Sequence, residues 1–216
     1  MAISAQQRQK KLAKKKQKRK SVGRTATPSM KKAKGYATYP IHECFIPTDL
    51  FTSGLGELVV TRRTPSGIIA VSAFVIDVFC LGVKDAMFLL IPEDKYENEY
   101  KERMSFHGQR EFEKLHQSYA KKLLDGLVEY ANGLGFSPHP DYINAKDLLI
   151  GIDASVCPEK YTYGKDGKPF YMNGPYESES DMMKIINTLT KHCGADGFNT
   201  LVRIGDFDDE DEYDDE

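Results

Sequence analysis

Apolar positions are sparse at both ends of this 216-residue chain and dense between them. From Gln6 to Lys20 only Leu12 and Ala13 are apolar, so no face exists that could pack on a core, and Gly23, Pro28 and Gly35 interrupt the stretch up to Tyr36. Residues 1–35 are therefore expected to be a disordered arm, with the folded body opening between Tyr36 and Ile41. The first dense element is a pair of β-branched runs on either side of Thr64-Pro65-Ser66-Gly67, where Pro at the second place and Gly at the fourth suit a type I turn. Leu58 to Arg63 and Ile68 to Phe79 then make a hairpin. If Thr64 pairs with Gly67, Leu58 faces Ala73, Val60 faces Val71 and Arg62 faces Ile69. The second run is apolar on both faces, which predicts an interior strand.

Ala86 to Ile91 reads as a third strand that Pro92 ends. Glu93 to Met104 is a charged helix, and Gln109 to Leu134 a longer one. In the latter, Phe112, Leu115, Tyr119, Leu123, Leu127 and Ala131 recur at helical steps, and Gly133 and Gly135 supply the stop. A Pro-His-Pro-Asp turn at 138–141 leads into a short helix, Tyr142 to Leu149. Around Lys165-Asp166-Gly167-Lys168 the Asp-Gly pair predicts a second hairpin, spanning 161–172, in which Tyr163 faces Phe170. The last helix starts at Ser178 with Asp181 in a capping-box position, and Gly194 ends it. Asn199 to Ile204 is a closing strand. The sum is one α+β domain, residues 36–205, with a mostly antiparallel sheet and helices chiefly on one face. It sits between a basic arm, 1–35, and a disordered acidic tail, 206–216.

The net charge of −2 conceals how unevenly charge is distributed. Residues 1–35 hold 13 Lys or Arg and no acid, residues 206–216 hold nine Asp or Glu and no base, and the body keeps 17 basic against 23 acidic groups. The longest apolar run, Ile68 to Val83, is interrupted by Ser72 and Asp77 and is too short to span a bilayer, so no membrane partner is expected. With no apolar stretch after Met1 to direct export, the expected location is the cytoplasm. Lys10-Lys11 and Lys14 to Lys20 read equally as a nuclear address. The cysteines, Cys44, Cys80, Cys157 and Cys193, form no CxxC pair and are expected as free thiols. His42-Glu43-Cys44 and His192-Cys193, joined by Cys80 or Cys157, would supply zinc ligands, but their spacing is not that of a finger or ribbon. No cofactor is expected, a divalent metal being tied to the rival hydrolase function.

The arm has the clearest chemical consequence, because each cation placed on a phosphate releases condensed counterions. Lys10, Lys11, Lys14, Lys15, Lys16, Lys18, Arg19, Lys20 and Arg24 are its candidate contacts with RNA or another polyanion, and the acidic tail is a competitor for them. In the 161–172 hairpin, Tyr163 and Phe170 offer rings for unpaired bases, with Lys165 and Lys168 beside them for phosphates. The alternative there is an aromatic cluster packed on the core. Asp77 lies in an apolar strand, where an ionised group needs a partner, and Lys84 and Asp85 are close to it in sequence. Together they would suit metal-assisted hydrolysis, or Asp77 is structural and bonded to the N–H groups of the turn at 53–56 or to a lysine. His139 and Asp141, with Cys157 or Asp153, are a weaker acid-base or metal pair. No phosphate-binding glycine loop, nucleophile elbow or HExxH occurs. The leading expectation is a non-catalytic, cytoplasmic nucleic-acid-binding protein, RNA-directed or ribosome-associated. The rivals are a metal-dependent nuclease or hydrolase using Asp77, Lys84 and Asp85, and a protein-interaction module. Pattern and charge are silent on oligomeric state.

Overall fold

A computed structural model of the chain describes residues 32–106, 110–174 and 177–202. The chain divides into two units, Met1–Lys32 and Ala33–Glu216, and the elements named here belong to the second. Residues 1–31 of the arm and the acidic tail, 206–216, lie outside the described residues, whereas Ala33–Tyr36 form a 3-10 turn with Ala33 fully buried, so the folded body opens at Ala33, ahead of the expected start between Tyr36 and Ile41.

Five antiparallel strands form one sheet in the order β4-β3-β2-β1-β5, with β1 at Ile41–Pro47, β2 at Leu55–Arg63, β3 at Ile68–Asp77, β4 at Gly82–Pro92 and β5 at Phe112–Lys114. The helices are α1, Leu50–Ser53; α2, residues 93–106; α3, Gln117–Gly133; α4, Tyr142–Ala145; and α5, Glu179–Cys193. A short second sheet pairs β6, Phe170–Met172, in parallel with β7, Asn199–Leu201. This is the α+β domain that the pattern predicts, with β3 in the sheet interior. Among the described residues, no helix is long and apolar enough to cross a membrane.

The sheet's two faces are buried differently. One face carries Cys44, Ile46, Leu58, Val60, Phe74 and Ile76 against α3 and α4, and α3 contributes Leu123, Leu124 and Leu127 from one stripe. Each of these leucines, fully removed from water, contributes about 1.5–3 kcal/mol. The opposite face carries Phe45, Val59, Ile69, Val71 and Ala73 against Tyr96 of α2. That cover is partial, leaving Met87 and Leu89 exposed.

Three further local expectations are corrected. The β2–β3 pairing runs Leu58↔Phe74, Val60↔Ser72 and Arg62↔Ala70, one residue from the predicted register. Thr64 N–H donates to Ile68 O at 2.9 Å and Gly67 takes φ 73°, so the loop has three residues and its glycine absorbs the extra one. The long helix begins at Gln117, eight residues late, because Phe112–Lys114 pairs with the outer edge of β1 and Phe112 packs beneath α2. Sheet pairing here overrides a helical repeat. In the second hairpin, Asp166 and Gly167 take φ 54° and 79°, as an Asp-Gly turn requires, and Lys165 bridges Lys168. The ladder stops there. Gly164 N–H donates to Val78 O and Phe170 N–H to Phe79 O, so both arms bond the β3–β4 turn rather than each other. The final helix obeys its pattern: the Ser178 hydroxyl accepts from Asp181 N–H at 3.1 Å and donates to the Asp181 carboxylate.

Candidate functional site

Asp77 ends β3 opposite Leu55 and is 9% exposed. Its Oδ1 accepts N–H groups from Phe79 at 3.0 Å and Cys80 at 2.9 Å, those of the turn just after it and not of residues 53–56. Burial raises its pKa, while Lys84 and these N–H groups work against that rise. Lys84 is the extra residue of a bulge in β4, since Val75 pairs with Asp85 and Ile76 with Val83. Asp85 is exposed, and its Oδ1 accepts from Ala86 N–H. Thus Asp77 and Lys84 share an electrostatic neighbourhood, but Asp77 is closed over by backbone while Asp85 faces water.

Asp85 instead meets His139. His139 Nδ1 lies 3.5 Å from Asp85 Oδ1 and 3.8 Å from Asp141 Oδ2, and it accepts the Asp141 N–H. This trio is one of two clusters of potential metal ligands among the described residues, and neither contains a cysteine. Cys44, Cys80 and Cys157 are buried free thiols, and Cys193 is half-buried and free. Burial pushes the Cys44 thiol up to about 12, so none of its chemistry is that of a thiolate near neutrality. Asp153 turns instead to Ser155 N–H.

The aromatic pair of the second hairpin is half-buried. The Tyr163 hydroxyl donates to Leu123 O at 2.8 Å, and its ring stacks on Tyr130 at 5.4 Å. Gly126 of α3 makes this approach possible, since a Cβ there would fall 2.7 Å from the Tyr163 oxygen. Phe170 packs edge-on to Phe79 and carries Lys165 Nζ 4.7 Å above its ring. Lys165 and Lys168 are exposed at the turn. The nine candidate arm residues, Lys10 to Arg24, lie outside the described residues.

A further polar cluster was not legible as a motif. The register of β1 against β2 slips between Ile41↔Arg62 and Cys44↔Val60, a bulge at His42 and Glu43. Thr61 satisfies the displaced backbone, its hydroxyl accepting from Glu43 N–H and donating to Glu43 O. Directly above, α2 widens into a π turn at Tyr96–Tyr100. Bulges of both kinds re-aim side chains, and here they aim them at each other. His42 Nε2 stands 3.1 Å from Glu43 Oε1 and 3.6 Å from Glu97 Oε1. Lys101 Nζ donates to Glu43 Oε1 at 2.6 Å and to Glu97 Oε2 at 2.8 Å, and Lys114 Nζ lies 3.3 Å from Glu43 Oε2. Lys101 holds the Glu97 carboxyl below its ordinary pKa. Burial opposes the Lys101 charge, yet the two glutamates outweigh it and hold its pKa above the ordinary value. Beneath the same turn, burial raises the pKa of Glu57, which hydrogen-bonds Tyr100. An open groove of about 510 Å³ adjoins Lys101, floored by Phe45 and Phe112, with Arg110 and Lys114 on its rim. The adjacent His42-Glu43 pair and the Glu97/Lys101 spacing are visible in the sequence; the two bulges that join them are not.

No family model matches the sequence, no curated protein is similar to it, and no solved structure matches its fold.

Proposed function

We propose that the protein is a non-catalytic, cytoplasmic nucleic-acid-binding protein, RNA-directed or ribosome-associated, whose affinity resides in its Lys-rich arm. The observation that carries this reading is the charge count: 13 Lys or Arg without one acid in residues 1–35, joined to a body with a six-charge acidic excess. The body repels a polyanion overall, so the arm must supply the attraction. Its point of attachment is firm, because Ala33 is fully buried and its N–H donates to Asn144 Oδ1. The packing of Tyr163 and Phe170 against the core leaves the hairpin's exposed Lys165 and Lys168 as an accessory contact. The hydrolase alternative gains nothing from Asp77, whose Oδ1 is already committed to two backbone N–H groups.

The test is a salt titration of single-stranded RNA binding by the full chain and by a chain lacking residues 1–31. The full chain should lose affinity linearly on a log–log plot, with a slope of about −0.7 per neutralised phosphate, and the deletion should remove most of both affinity and slope. Equal affinity and slope in the two chains would make the arm an address and move recognition to the folded body.

A further inference from the structure

We propose that His42, Glu43 and Glu97 form a binding site for a first-row divalent metal ion of the Zn²⁺ class, with Lys101 as the internal cation that holds the two glutamates together in the absence of metal. The site is independent of the arm and of its polyanion. One imidazole nitrogen and two carboxylates are a donor set that selects transition metals over Mg²⁺, and three protein ligands leave a fourth position for water.

Geometry is the first support. Ligand atoms bound to one Zn²⁺ at 2.0–2.1 Å in a tetrahedron stand about 3.4 Å apart. His42 Nε2 is 3.1 Å from Glu43 Oε1 and 3.6 Å from Glu97 Oε1, and one ligand atom from each residue lies within 4.8 Å of the other two. The three residues come from a strand bulge and a helix π turn, which bring one ligand atom of each to a common point.

Unsatisfied polar atoms are the second, independent support. Glu43 is nine-tenths buried, yet its Oε2 accepts no hydrogen bond, the nearest cation being Lys114 Nζ at 3.3 Å. His42 Nε2 is also buried without a hydrogen bond. A buried polar atom without a hydrogen bond is costly, and two such acceptors side by side suit a further ligand. An imidazole lone pair and a carboxylate oxygen are both acceptors, which is what a cation requires.

Charge balance specifies how the ion enters. Lys101 bridges Glu43 and Glu97 from a side chain that is one-quarter exposed, so its ammonium can move out along its flexible stem as a divalent ion takes its place. Lys101 is thus a competitor of the metal. Its removal should tighten metal binding, whereas removal of a structural lysine would loosen it.

The experiment is calorimetric titration of Zn²⁺ into the full chain at pH 7, with excess Mg²⁺ to occupy the acidic tail. The parent should bind one Zn²⁺. His42→Ala and Glu97→Gln should each weaken binding at least tenfold. Glu97→Gln alters only a surface-reaching carboxylate and so remains informative if His42→Ala folds poorly. Lys101→Met should strengthen binding severalfold, and His139→Ala, in the other ligand cluster, should leave it unchanged. The proposal is overturned if the parent shows no saturable binding, if Glu97→Gln or a folded His42→Ala loses less than tenfold, if His139→Ala removes the site, or if Lys101→Met fails to tighten it.

Discussion

Two carboxylates are buried in the sheet, both 9% exposed, and they are stabilised in opposite ways. Asp77 is satisfied by the N–H groups of Phe79 and Cys80, two and three residues ahead of it, so its environment is almost complete within one turn of chain. Glu43 is held at Oε1 by the ammonium of Lys101, 58 residues away, while its Oε2 only faces Lys114 at ion-pair distance, with His42 alongside. The first arrangement is a local fold device that leaves the acid no free valence on Oδ1. The second assembles charged groups from three elements around one point, and its contents are exchangeable. A carboxylate in an apolar strand therefore says little by itself about chemistry. What matters is whether its partners are backbone or other side chains.

The largest expected effect comes from breaking the distant pair. Glu43→Ala leaves Lys101 and Lys114 beside an emptied, partly buried position and should cost about 3 kcal/mol, the low end for one half of a buried ion pair because Lys101 can still reach Glu97. Urea unfolding of Glu43→Leu combined with Lys101→Met should recover most of that loss, since a buried pair replaced by apolar side chains is often neutral. If the double variant is as unstable as Glu43→Ala alone, the cost lies in packing and the charge argument fails.

The local device should be smaller and more selective. Asp77→Ala orphans two N–H groups and should cost about 2 kcal/mol, whereas Asp77→Asn keeps an Oδ1 acceptor and should cost less than about 1 kcal/mol at neutral pH. The pH dependence has a definite sign. Burial raises the folded-state pKa of Asp77, so the stability it contributes is fully present below its ordinary pKa of 3.8 and declines as pH rises through the folded value. Relative to the parent, Asp77→Asn should therefore fare better at pH 7 than at pH 3. An Asp77→Ala chain that unfolds at the parent's urea midpoint would refute the structural assignment.

Asp85 gives the smallest effect. It is exposed, accepting the Ala86 N–H and standing beside His139 and Asp141, so Asp85→Asn should change stability by less than about 0.5 kcal/mol. Were Asp77→Asn and Asp85→Asn both to leave stability intact and abolish a metal-dependent hydrolysis of RNA, the hydrolase would replace the binding protein as the reading.

Sequence by itself determined the parts of this protein that depend on neighbouring residues. The interior strand at 68–77, the Asp-Gly turn, the Ser178–Asp181 cap, the helix at 142–145 and the opposed charges of the two ends all arise from periodicity, turn chemistry and composition, which act over a few residues. Tertiary structure decided whatever required a choice between distant partners. Phe112–Lys114 left a helical repeat to complete the edge of β1, and the second hairpin gave its backbone to the β3–β4 turn. Gly67 shifted the first hairpin by one residue, because a loop's length is set by how the strands close rather than by its residue types alone. The cluster of His42, Glu43, Glu97 and Lys101 lies furthest from the pattern's reach. Its two halves are more than fifty residues apart in sequence, and they meet only because a β-bulge and a π turn each insert a residue at the point where strand and helix touch.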